Sequence, residues 1–98
     1  MDNQKIKELL FEESDNLQDA ILSCLTNLNL LTTFTPDELG MTEQEIEVEM
    51  KNEKAMVDNF IATKQIIDKW LQIINENLDV GNFNERLMED CPWIENQI

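Results

Sequence analysis

The sequence predicts an all-α protein, a long antiparallel helical hairpin of coiled-coil type followed by a short C-terminal helix. Three observations carry that expectation. Only two Gly and two Pro interrupt 98 residues, whereas all-β folds need frequent turn residues. Large apolar side chains recur at spacings of three, four and seven, the period of a helical seam. Two complete helix-start signals stand close together between residues 35 and 45. The length suits one domain, 1–98.

The first helix is expected over about 3–31. Leu10, Leu17, Cys24 and Leu31 repeat every seven residues, and Ile21 and Leu28 occupy the second apolar position of the same heptad. Glu13 and Ser14 interrupt the stripe. Asp2 is placed to cap the helix and to complement its dipole.

The connection that follows carries two capping boxes. In Thr35-Pro36-Asp37-Glu38 the threonine precedes a glutamate by three, proline takes the first helical position, and Phe34 and Leu39 are spaced as a staple. Gly40 closes this turn, giving a short helix over 36–39. Thr42-Glu43-Gln44-Glu45 repeats the device with Met41 and Ile46, and starts a second long helix over 43–78.

The seam of that second helix is Ile46, Met50, Val57, Phe60, Ile67, Leu71, Ile74 and Leu78. From Glu45 to Met50 the pattern alternates with period two, as a strand would. The capping box and the later helical period favour helix there. Asp79-Val80-Gly81-Asn82 ends the element, with Gly81 suited to a left-handed terminus. Asn82 is expected to cap a last helix over 83–90, which stops before Pro92.

The hairpin pattern leaves part of the second helix uncovered. Ile66, Trp70 and Ile73 form a second apolar row beside the seam. A helix apolar over so wide an arc is normally buried on more than one side. The Trp93–Ile98 tail either folds back over this row or anchors a partner. The expected function is therefore non-catalytic protein–protein interaction, as a small subunit, adaptor or chaperone packing helices against a partner or a second copy. Ile66, Trp70, Ile73, Trp93 and Ile94 are its expected contact residues.

Charge excludes other partners. Seven basic against 21 acidic residues leave −14. Such a chain offers no basic surface for nucleic-acid phosphates or anionic membranes, and favours a basic protein surface instead. The alternative function is an acidic inhibitor or DNA mimic, of the kind phages encode, that blocks a basic nucleic-acid-binding surface. Its acidic face would be Glu45, Glu49 and Glu53, stacked at i, i+4; like charges there repel by only about 0.2–0.5 kcal/mol per pair. The same residues also suit a solvated face partly paired through Glu47 and Lys51.

Chemistry is poorly supplied. There is no His and no Tyr, and the only serines are Ser14 and Ser23. Cys24 falls on the seam, where cysteine packs as a small hydrophobe. Cys91, before Pro92, is expected to be more exposed, but no imidazole exists to activate it. No clustered Cys/His set, calcium loop or Gly-rich phosphate loop occurs, so no catalytic residue, metal site or cofactor is expected. Thr35 and Thr42 also precede acids in the manner of kinase sites, which their capping role explains. Two isolated cysteines, no apolar run of spanning length, and Glu8 and Glu12 near the start point to an intracellular protein, cytoplasmic or nuclear.

Overall fold

A computed structural model describes residues 3–78 and 80–97. Its elements are α1 (Asn3–Thr33), α2 (Pro36–Leu39), α3 (Glu43–Asn75), α4 (Phe83–Asp90) and a C-terminal 3-10 helix (Pro92–Gln97). The described residues contain no strand, and α1 packs against α3 as a helical hairpin. The period-two stretch 45–50 is helical. The proposed cap Asp2 lies outside the described residues.

Both capping boxes form in the connection. The Glu38 amide donates to Thr35 Oγ1 at 3.3 Å, and the Thr35 amide donates to Glu38 Oε1 at 3.1 Å. The Glu45 amide donates to Thr42 Oγ1 at 3.1 Å, and the Thr42 amide to Glu45 Oε1 at 3.2 Å. Each box satisfies amides that a helix start otherwise leaves unpaired. Gly40, left-handed at φ 66°, ends α2. Its amide donates to Asp37 O and that of Met41 to Pro36 O, the paired bonds of a Schellman motif.

The end of α3 departs from expectation. The helix stops at Asn75 instead of continuing to 78. Asn77 takes φ 50°, its amide donates to Ile74 O and that of Leu78 to Ile73 O. This is a second Schellman motif, built on asparagine, the side chain that tolerates left-handed backbone best after glycine. Gly81 is left-handed too, at φ 52°, but does not cap α3. Asn82 does not cap α4 with its side chain. Its φ of 47° differs from the extended backbone a side-chain cap uses, and only its carbonyl accepts, from the Arg86 amide.

The chain divides into two compact units. Unit 1 comprises Met1–Asn16 and Thr63–Ile98, and unit 2 comprises Leu17–Ala62. Unit 1 holds the best-packed interior: Trp70, Ile6, Leu10, Ile67, Leu87, Ile94 and Cys91 are each almost wholly enclosed. Unit 2 has a thinner seam of Leu17, Ile21, Cys24 and Val57, and it also buries Glu53.

Asn77→Ala should destabilise the chain by about 1 kcal/mol, because alanine resists left-handed backbone. Asn77→Gly should leave stability equal or higher. Urea unfolding followed by circular dichroism separates the two variants.

Candidate interaction surface

In unit 1 the expected contact row is mostly used up internally. Trp70 has no exposed surface. Its indole Nε1 donates to Asp90 Oδ2 at 2.8 Å, and the Phe83 ring meets it edge-on with centroids 5.5 Å apart. Lys69 donates to the same Asp90 oxygen at 3.0 Å and lies 5.1 Å from the Trp70 ring centre. A buried indole needs an acceptor, and α4 delivers one. Ile94 is likewise enclosed. The assignment of Trp70 and Ile94 to a partner surface is therefore corrected: α4 and the 3-10 helix fold back and satisfy them within the chain. Ile73 and Trp93 are half-buried, and Ile66 alone of the five stays exposed.

Lys69, then the Trp70 indole, hold the Asp90 carboxyl below its ordinary range. A second polar knot replaces the seam at Ser14, which is buried. The Ser14 hydroxyl donates to Asp68 Oδ1 at 2.8 Å, and Lys64 donates to Oδ2 at 2.7 Å. Partial burial pushes the Asp68 carboxyl up, but Lys64 and Ser14 outweigh it and leave the group below its usual range. The Ser14 hydroxyl is thus oriented by a carboxylate whose proton affinity Lys64 lowers. Ser14 interrupts the apolar stripe because it bonds across to α3, and the signal for this in the sequence is Lys64 and Asp68 at i, i+4.

Neither thiol is poised for chemistry. Cys91 is buried, contrary to expectation, because the chain turns inward at the C-cap of α4. Burial, with the Asp90 charge nearby, pushes its thiol up to about 11. Cys24 is buried on the seam as expected. Burial and the adjacent Glu53 carboxylate raise its thiol as well. Among the described residues no cluster of three or more metal-ligating side chains occurs, and no helix is long and apolar enough to cross a membrane.

The acidic face separates into three different environments. Glu45 is occupied by the second capping box. Glu49 is exposed. Glu53 is only 5% exposed; its Oε1 accepts from Asn27 Nδ2 at 3.4 Å, while Oε2 is buried without a partner. Glu45, Glu49 and Glu53 therefore do not form one solvated ladder, a correction to the expected acidic face. Position 53 continues the seam, three residues after Met50 and four before Val57, so geometry draws this charge inward. Lys51 is paired to no carboxylate among the described residues, Glu47 included.

What remains outward and apolar gathers in unit 2. Ten large apolar side chains are exposed among the described residues, and seven of them, Leu22, Leu25, Leu30, Phe34, Val48, Met56 and Ile61, belong to Leu17–Ala62. None of the most completely enclosed side chains does. Comparison with family models, with curated proteins and with solved structures finds no match for this chain.

Two outcomes follow from this geometry. Trp70→Ala should cost about 3–5 kcal/mol in urea unfolding, and Trp70→Phe about 2–3 kcal/mol through the lost bond to the Asp90 carboxylate and the smaller ring. For acid, the folded-state shift of Asp90 is downward from the ordinary 3.8. Its contribution is thus complete above that value and is lost as pH falls through the lower folded one. Tryptophan emission in an acid titration should follow this loss, and Asp90→Asn should flatten it.

Proposed function

We propose that this chain is a non-catalytic protein–protein interaction module, a small subunit, adaptor or chaperone, which receives partner helices on unit 2. The carrying observation is the uneven burial. Unit 2 contains most of the exposed large apolar side chains and none of the most completely enclosed ones. Exposed apolar surface in excess of scattered single residues is a mark of interaction sites, and an amphipathic helix is the natural cover for a helical pair. The docking end thus moves from the Trp70 row to Leu17–Ala62.

The reading as an acidic inhibitor or DNA mimic has less support. It depends on a row of free carboxylates, and Glu38 and Glu45 are tied to caps while Glu53 is buried. An intracellular setting fits two free, buried thiols with raised proton affinity. Non-catalytic action fits the lowered proton affinity at Asp68 and the absence of histidine.

The test is a photo-crosslinking side chain placed at Leu25 or Met56 of the full chain in its own cells, with Glu8 as the control position. Discrete adducts are expected at the two unit 2 positions and not at Glu8, and Leu25→Asp should remove the Met56 adduct without changing helix content. A chain that sediments as a monomer and yields no adduct at either position overturns the reading. Docking through apolar contacts should also survive raised salt, whereas exposed-charge mimicry would weaken sharply.

A further inference from the structure

The exposed leucines indicate where a partner packs but not what it must carry. Glu53 supplies that information. A carboxylate oxygen buried without a donor is costly, and native structures rarely leave one so. Glu53 Oε2 is in this state. Its neighbours offer little relief: Asn27 bonds the other oxygen at 3.4 Å, and the Cys24 thiol beside it is a weak donor.

The surroundings say where a missing donor would arrive. Glu49, Glu53, Met56 and Phe60 follow one another at i+4, i+3 and i+4 along α3, so they line one face. Asn27 and Leu31 share a face of α1 by the same rule, and the Asn27–Glu53 bond joins the two rows. Met56 is exposed, Phe60 and Leu31 are half-buried, and Asn27 and Glu49 face solvent. This is an apolar face with one exposed carboxylate and one sunken carboxylate set into it.

Among the described residues no cation pairs with Glu53. Within Leu17–Ala62 nine acidic residues stand against Lys51 and Lys54 alone. Both lysines line a separate concavity with Ile46, Met50, Glu43 and Glu47. A second copy would bring the same acidic excess and add like-charge repulsion. The complementary occupant is therefore a helix of a different, basic protein.

We propose that Glu53 is a specificity-determining residue of the docking surface: the partner helix carries an arginine or lysine that pairs with Glu53 Oε2, with Glu49 beside it, while its apolar side chains cover Met56, Phe60 and Leu31. The proposal rests on unit 2 being the docking end. Asn27 is solvent-facing, so a donor arriving beside it meets the Glu53 carboxylate at the edge of the seam. The terminal torsion of glutamate is broad and two-fold, so the two oxygens exchange without parting the helices. A buried polar residue that selects its partner at a cost in stability is an established device of helical pairs.

The probes are two three-heptad amphipathic peptides with leucine at the a and d positions. One has a single central arginine and the other has leucine there. Titration calorimetry with the full chain should show the arginine peptide binding about tenfold more tightly. In Glu53→Met that preference should vanish or reverse, while the free variant melts at the same or a higher temperature. Glu53→Gln should lose the preference too. If the peptides bind the wild-type chain equally, the proposal fails while the docking reading stands. If neither binds, the proposal also fails, and adducts at Leu25 and Met56 judge the docking reading separately. A wild-type chain that sediments as a dimer, and as a monomer after Glu53→Met, assigns the face to a second copy and overturns the proposal.

Discussion

Two antiparallel helices can hide only one stripe each, and most of the protein's features follow from how this shortage is met. Unit 1 meets it with a third layer. The chain returns through α4 and the 3-10 helix, and the Trp70 indole is held by an aspartate from α4 and braced by the Phe83 ring. Large aromatic side chains bury more surface than any aliphatic, so placing Trp70 under α4 fixes where the best-packed interior lies. Unit 2 contains no comparable third layer. Its two long helical segments and the one-turn α2 keep large apolar side chains in contact with water.

The same shortage explains why similar carboxylates behave so differently. Glu38 and Glu45 satisfy backbone amides at helix starts. Asp68 and Asp90 each join a lysine to a second donor and remain ionised. Glu53 lies on the seam, where only a thiol and a long amide contact approach it. Net charge alone suggests a uniformly repelling surface. The structure instead distributes that charge among capping, pairing, solvation and, among the described residues, one unsatisfied interior oxygen at Glu53.

The same packing sets the surroundings of Ser14 and of both thiols. Ser14 is bound to a carboxylate that lysine keeps ionised, and both cysteines lie where burial disfavours the thiolate. Among the groups with a resolved shift, the two carboxyls go down beside their lysines and the two thiols go up with burial.

Much of the architecture was legible in sequence because it is governed by neighbours three and four residues apart. The helical class, both capping boxes, the Gly40 terminus, α4 and the seam position of Cys24 all follow from such local rules. The cap at Asn77 was hidden because asparagine and the later Gly81 compete for one role, and only the path of the chain chooses between them. The partner of Trp70 lies 20 residues away and that of Ser14 lies 54 away. No local rule links such pairs. Glu53 was half legible: its spacing placed it on the seam, while its charge argued for the surface. Sequence by itself determined which segments are α-helical and where they begin, but not the 3-10 helix that begins at Pro92. Tertiary packing decided which apolar row is closed and which carboxylate is trapped, because burial depends on what arrives from elsewhere in the chain.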